Sequence, residues 1–386
     1  MKYDFDYYNP TKIYFGKNSL DNLEVELKNY GKKILLVYGG GSIKKNGIYD
    51  KVITILKKCD KEVFECSGVL PNPTLIKMLE GAKIIRDNTI DLVLAVGGGS
   101  VIDCAKGMSA AAYYEGDDVF KSYWVKGEPI KHKIVPLATV LTMVGTGSEM
   151  NNGSVITDTE NKIKNPAPLF NPDFSILNPE YTFTISKYQM VSGIFDIMSH
   201  LMEQYFSGDD DNTSDYFIEG IYKSVIHSAR VAVQNPLDYE ARSNIMWCAT
   251  MVLNGIAGKS KTQDWEVHMI EHQLGALTDC AHGMGLCAIY MPYYRYIYQF
   301  GLDKFVRFAK EIWGVDDTGK TKEQVALEGI DCMEKFAKEC GMVTTLKELG
   351  ATPEMLPKIA NTCILGGGYK KVTPEEVLEI LKQCYE

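Results

Sequence analysis

Two apolar runs end in the same tetrapeptide: residues 34–42 read ILLVYGGGS and residues 92–100 read LVLAVGGGS. A short unbroken apolar run bounded by glycine reads as a strand buried on both faces, the kind that parallel sheets contain. Glycine at its end permits positive φ and close backbone approach, and a helix starting there offers free N–H groups to an anion. Each copy is therefore either a cradle for a phosphate or a tight strand-to-helix turn, and one copy alone does not decide between them.

The surrounding pattern sets the class of the fold. Lys33–Tyr38, Glu62–Cys66, Asp91–Val96 and Ile134–Ala138 read as strands, separated by helical segments such as Leu75–Asn88 and Val101–Tyr113. Strand and helix in alternation imply a parallel sheet covered on both faces, a Rossmann-like α/β domain. Past Thr182 the strand signal fades into helical patterning at Ser186–Ser207, Ser214–Val233, Pro236–Gly255, His282–Tyr298, Leu302–Trp313, Gln324–Cys340 and Pro374–Cys384. We expect an α/β domain over residues 1–180 and an all-α domain over 181–386, the class changing near Asn178-Pro179.

Composition narrows the partners. Across 386 residues the net charge is −9, which argues against nucleic acid, since phosphate backbones are held by surplus Lys and Arg. No apolar run approaches the roughly 20 residues that span a bilayer, and the opening MKYDFDYYNPTK lacks the basic and apolar segments of a secretory signal. Ten cysteines without a C-x-x-C pair read as reduced thiols in cytoplasm. Small molecules are the expected ligands, with no membrane.

Four of the six histidines fall in the helical half at ordered spacings. Asp196 and His200 lie four apart, as do His268 and His272, and His282 follows a Leu-Gly-Ala break. Residues four apart share a helix face, so three elements could converge on one point. An Asp with imidazoles suits a divalent ion such as Fe²⁺ or Zn²⁺ without thiolates, whereas either pair alone could be a surface ion pair. His132 and His227 lack such partners and read as structural.

These residues resemble the iron-containing (group III) alcohol dehydrogenases, in the butanol dehydrogenase or aldehyde reductase branch. The resemblance rests on PNPT at 71–74, AVGGGSVIDCAKG at 95–107, GTGSEM at 145–150, DIMSHLMEQY at 196–205, EHQLGA at 271–276 and AHGMGL at 281–286. It implies metal ligation by Asp196, His200, His268 and His282, with His272 close to the metal but not bound to it. It also implies that Gly97, Gly98, Gly99 and Ser100 hold a cofactor pyrophosphate, that Gly39, Gly40, Gly41 and Ser42 face the adenosine end, and that Asn72, Asp103, Thr139, Thr142, Lys162 and Tyr181 line the cofactor. Where an NAD-selective site commonly ends a strand in an acid, this chain has Gly39, with Ser42, Lys44 and Lys45 nearby, which favours NADP(H). Departures from the family text are Asn178 for Asp, Ser186 for Pro, NPAPLFNP after Lys164, and a glycine-rich C-terminal segment reduced to LGGGYKKV at 365–372.

The resemblance implies an NADP(H)-dependent interconversion of primary alcohols, butanol-like, and aldehydes in a cleft between the two domains, mainly aldehyde reduction, by a homodimer. The metal would act as a Lewis acid, and His272 would either relay a proton or only pack beside the metal. An NAD-dependent polyol dehydrogenase, a lyase like the dehydroquinate synthases on the same scaffold, and a nonenzymatic metal or nucleotide sensor remain as alternatives.

Overall fold

The computed structural model describes residues 3–208 and 213–386. The chain divides into two compact units, one spanning Tyr8–Ile185 and the other Ser186–Glu386 together with the residues up to Tyr7.

The first unit is built on a six-stranded sheet in the order β1-β8-β5-β4-β2-β3, parallel throughout. Its strands are β1 (Lys12–Phe15), β2 (Lys33–Tyr38), β3 (Glu62–Cys66), β4 (Leu92–Gly97), β5 (Leu137–Leu141) and β8 (Phe174–Leu177); β6 (Gly153–Asp158) and β7 (Ile163–Pro168) form a separate antiparallel hairpin. The helices are α1 (Asn22–Glu26), α2 (Ser42–Lys45), α3 (Ile48–Lys58), α4 (Leu75–Asn88) and α5 (Gly99–Ala111). Every residue of β4 is buried, which accounts for its unalternating apolar text. Its Leu92, Leu94 and Val96 join Ile34, Leu36, Val140 and Ile176 in one core, each full burial contributing about 1.5–3 kcal/mol. On α3, Ile48, Val52 and Leu56 recur every four residues and face that core.

Strand order explains where a ligand can sit. From β2 the chain moves outward to β3, then crosses back over β2 to β4 and continues to β5, so the direction of winding reverses between β2 and β4. Crevices at the carboxyl ends of strands form at such a reversal. Tyr38 pairs with Val96, so the two GGGS turns leave adjacent strands at the same level, about 4.8 Å apart.

In the second unit the helices are α6 (Lys187–Tyr205), α7 (Thr213–Gln234), α8 (Tyr239–Val252), α9 (Glu266–Thr278), α10 (His282–Ile297), α11 (Leu302–Trp313), α12 (Lys322–Cys340), α13 (Leu356–Thr362) and α14 (Pro374–Gln383). Among the described residues no helix is long and apolar enough to cross a membrane. All ten cysteines are free thiols.

Several expectations shift. The fifth strand begins at Leu137 rather than Ile134, because Pro136 lacks the N–H that would extend it. The Leu-Gly-Ala sequence does not break the helix: α9 runs through it to Thr278, and the chain turns at Asp279, whose φ is +55°. The units divide after Ile185 rather than at 180, since Tyr181 packs into the α/β core. The first residues group with the helical unit, where Tyr3 N–H donates to Ser260 Oγ at 2.7 Å and Lys259 Nζ donates to the Asp6 carbonyl at 2.9 Å. At the two junction departures, Asn178 still accepts from Glu180 N–H at 3.0 Å, keeping the capping oxygen an aspartate would offer, and Ser186 caps α6 by accepting from Gln189 N–H at 3.2 Å, an oxygen that a proline lacks.

Candidate functional site

Three helices deliver the histidines. On α6, Asp196, His200 and Glu203 fall on one face; α9 presents His268, Glu271 and His272; and α10 opens on His282. Gly283 makes that opening possible, because a Cβ there would run into the backbone carbonyl of Ser192 on α6.

The donors converge on Asp196. Its Oδ1 stands 3.5 Å from His200 Nε2, 3.6 Å from His282 Nε2 and 4.0 Å from His268 Nε2. A tetrahedral ion with bonds of about 2.0–2.2 Å has ligand–ligand edges of roughly 3.3–3.6 Å, so the spacing approximates that of a coordination shell. The rings of His200 and His268 stack at 5.0 Å with an interplanar angle of 14°. His272, equally buried, has its ring 5.6 Å from that of His282, and Glu271, His272 and His282 form a second close group of donors.

Two imidazoles are oriented from behind by carboxylates. Glu203 Oε1 accepts from His268 Nδ1–H at 2.9 Å, and Glu271 Oε2 accepts from His282 Nδ1–H. A proton held on Nδ1 leaves the Nε2 lone pair aimed at Asp196, the arrangement of a metal-binding histidine. His200 Nδ1 has no hydrogen-bond partner among the described residues. Burial first, then the neighbouring His268 and His282, hold the His200 pKa well below its ordinary value, so its ring is neutral at pH 7. A buried carboxylate facing three imidazole lone pairs fits a divalent cation, and the oxygen–nitrogen donor set suits iron or zinc.

Glu203 also accepts from the backbone N–H of Trp265 at 2.9 Å and of His268 at 3.1 Å, which ties α6 to the start of α9. Burial pushes its carboxyl up to about 7 against those donors. A glutamine at 203 must turn its NH₂ towards one of these N–H groups. Glu203→Gln is therefore expected to weaken metal affinity by about 10–100-fold, measured by competition with a chelator. The glycine-rich segment at 365–372 docks on the same helix start, Gly366 N–H donating to Glu266 Oε2 at 2.9 Å and Gly368 N–H to Asp264 Oδ1 at 3.1 Å.

In the α/β unit the two GGGS turns use glycine differently. Gly41, with φ +99°, caps α2 in a conformation that disfavours a side chain. At the second copy the constraint is space: a Cβ on Gly99 would collide with the Thr146 side chain, so the chain leaving β5 passes directly over the first turn of α5. Thr142 N–H donates to the Gly97 carbonyl at 2.9 Å, and Ser100 Oγ donates to the Pro71 carbonyl, which brings Thr142 and the PNPT motif with its buried Asn72 to this turn. A backbone cradle at a helix N-terminus that tolerates no side chain fits a pyrophosphate.

The other residues expected to line the cofactor have varied surroundings. Thr139 is fully buried in the sheet and donates to Ser175 Oγ at 2.7 Å. Asp103 is buried, with Oδ1 accepting from Ser148 Oγ at 2.5 Å and Oδ2 from Val155 N–H at 2.9 Å. Tyr181 belongs to the core, and Lys162 is exposed in the β6–β7 turn at φ +54°. Sequence reasoning gave no orienting role to Glu203 or Glu271, although each lies three residues beyond a histidine of the cluster on the same helix.

Comparison with known proteins agrees with this geometry. The family model described as iron-containing alcohol dehydrogenase matches residues 10–179, and that of the Fe-containing alcohol dehydrogenase family, C-terminal, matches residues 190–385. The chain is 39% identical to NADH-dependent butanol dehydrogenase A of Clostridium acetobutylicum over 99% of both chains. It is 33% identical to the NADPH-dependent aldehyde reductase YqhD of Escherichia coli over 92% of each. Among solved structures it resembles NADH-dependent butanol dehydrogenase A from Thermotoga maritima, with a TM-score of 0.94 and 37% identity over 100% of this chain and 99% of that one.

Proposed function

Because the chain belongs to the iron-containing alcohol dehydrogenase family and interconverts alcohols and aldehydes, we propose that it mainly reduces modest-sized, unphosphorylated aldehydes with NADP(H), using a divalent ion held by Asp196, His200, His268 and His282. The observation that carries the metal assignment is the convergence of three Nε2 atoms on one buried Asp196 oxygen, two of them oriented by glutamates. Lewis-acid polarisation of an aldehyde oxygen is the chemistry that such an ion supplies, and a reduced nicotinamide supplies the hydride. The protein's own part is positional: Glu203 and Glu271 fix the tautomers of His268 and His282, and Asp196 provides the negative charge. His272, beside His282, offers a ring nitrogen able to hold or pass the proton that completes reduction.

Two features support an unphosphorylated substrate. The segments 190–205 and 265–286, which carry the ligand motifs, contain no arginine and no lysine. The Trp265 indole lies 6.0 Å from the His200 ring and 5.3 Å from that of His268, an apolar wall beside the donors. A phosphate brought there would meet no arginine or lysine from those two segments. Butanal is expected to exceed glyceraldehyde 3-phosphate in kcat/KM by roughly a hundredfold or more in a steady-state assay, and the reverse order would refute the reading.

The preference for NADP(H) rests on the end of β2. Position 39 offers no acid, and Glu65 on neighbouring β3 already accepts from Tyr38 OH at 2.5 Å and Tyr49 OH at 2.6 Å, with Lys44 Nζ 3.7 Å away. Both carboxylate oxygens are thus engaged, while Ser42 and Lys45 are exposed where a 2′-phosphate would be received. NADH is the second reading, favoured by the names of the relatives at 39–40% identity. Steady-state comparison of the two nucleotides decides between them.

A further inference from the structure

Lys106 is fully buried in the middle of α5, two helical turns beyond Gly99. Its Nζ donates at 2.8 Å to the carbonyls of Ser148, Asn151 and Gly153 and to Ser148 Oγ, and lies 3.2 Å from Asn151 Oδ1. An ammonium has three protons, so these five acceptors share them and leave it no capacity for a ligand. Burial lowers its pKa to about 8, with Asp103 and Glu149 opposing that shift.

Four of the five acceptors, on Ser148 and Asn151, belong to the segment that leaves β5 and passes over the second GGGS turn, and the fifth, the Gly153 carbonyl, opens β6. From Lys106 the connection back to that turn is continuous. Asn151, whose Oδ1 faces Nζ, donates through Nδ2 to the Thr146 carbonyl at 3.1 Å; Thr146 Oγ1 accepts from Ser148 N–H at 3.2 Å; and the Thr146 side chain rests on Gly99. Asp103, one helical turn before Lys106, holds the same segment through Ser148 Oγ and the strand that follows it through Val155 N–H. A helix that offers its N-terminus to a phosphate thus fixes, through two of its own side chains, the wall that closes over that N-terminus.

We infer that Lys106 is a positioning residue for the nicotinamide nucleotide: it sets the 143–151 segment at the height that admits a pyrophosphate over Gly97–Ser100 without touching the nucleotide itself. The inference rests on the proposed nucleotide site at that turn. It follows that Lys106 acts on nucleotide binding and leaves the metal centre, in the other unit, alone.

The test is direct titration of NADPH and NADH onto the metal-loaded wild type, Lys106→Met and Ser148→Ala, followed by nucleotide fluorescence, with thermal midpoint, metal content and steady-state kinetics measured alongside. Lys106→Met should raise the dissociation constant and the nucleotide KM by roughly tenfold to a hundredfold, with kcat at saturating nucleotide and metal content near wild type. Ser148→Ala, which removes one acceptor and the bridge to Asp103, should give a smaller rise in the same direction. A purely structural lysine would lower the thermal midpoint and leave nucleotide affinity unchanged, and that result for folded Lys106→Met overturns the inference. If Lys106→Met does not fold, wild-type affinity in Ser148→Ala overturns it instead. A wild type that binds neither nucleotide overturns the underlying site as well, which separates the two failures.

Discussion

Protein carrying His200→Ala is expected to purify folded and without its divalent ion, and to turn over aldehyde about a thousandfold more slowly or worse. The size follows from the chemistry lost: Lewis-acid stabilisation of developing charge is worth several kcal/mol, and each 1.36 kcal/mol of barrier is a factor of ten. His200 is the informative position because its Nδ1 has no hydrogen-bond partner among the described residues, so removing the ring would delete a proposed donor to the ion without stranding a partner of Nδ1. His282→Ala should also release the ion, but it leaves the buried carboxylate of Glu271 without the Nδ1–H it accepts, and part of its effect will be loss of stability. Metal analysis, far-UV circular dichroism and turnover on the two variants separate these effects. Stripping the wild type with a chelator should reproduce the His200→Ala kinetics, and re-addition of Fe²⁺ or Zn²⁺ should restore the wild type alone. Full metal occupancy in His200→Ala would refute the ligand assignment.

The sequence made this cluster readable because its donors obey helix geometry. Asp196 and His200 repeat at four residues on α6, and His268 and His272 do so on α9, so periodicity alone put each pair on one face. Glu203 and Glu271 also follow that periodicity, yet an acid three residues past a histidine reads equally well as an ordinary helical ion pair, and only the fold shows which ring nitrogen it meets. In the α/β unit, β2 and β4 were legible as continuous apolar runs between glycines. The four-residue strands β1 and β8 were not, because KIYF and FSIL are too short to show a period and owe their pairing to distant partners. Pro166 and Pro168 hid β7, which tolerates them because it pairs only with β6. Asp103 was legible as a motif residue, but its bonds to Ser148 Oγ and Val155 N–H were not, since a buried carboxylate that organises a neighbouring loop has the same one-letter signature as one that meets a ligand.

At the other end of the molecule's chemistry, Gly39→Asp is expected to lower kcat/KM for NADPH and to shift the NADPH-to-NADH ratio towards NADH by roughly tenfold to a hundredfold. That range corresponds to losing one charge-assisted contact of about 1.5–3 kcal/mol. Gly39 and Gly97 continue paired strands β2 and β4 at the same level of the sheet, so both tetrapeptides face one crevice, and two copies suit a cofactor that carries phosphate at two places. On the proposed reading the second copy would take the pyrophosphate. The first, with Ser42 and Lys45 exposed and no acid at 39, would be left for a 2′-phosphate, which a new carboxylate would repel while accepting hydrogen bonds from a free ribose hydroxyl. Gly39 is not in the left-handed region, so aspartate is sterically permitted there, although its Cβ would sit 3.2 Å from the Val69 carbonyl and require a small local shift. Gly39→Asn imposes the same shift without the charge and isolates it: the asparagine variant should lose activity with both nucleotides alike, and only the aspartate should change their ratio. Equal kcat/KM for NADPH and NADH in the wild type, or an asparagine variant that changes the ratio as much as aspartate, would reduce the first GGGS to a strand-to-helix turn.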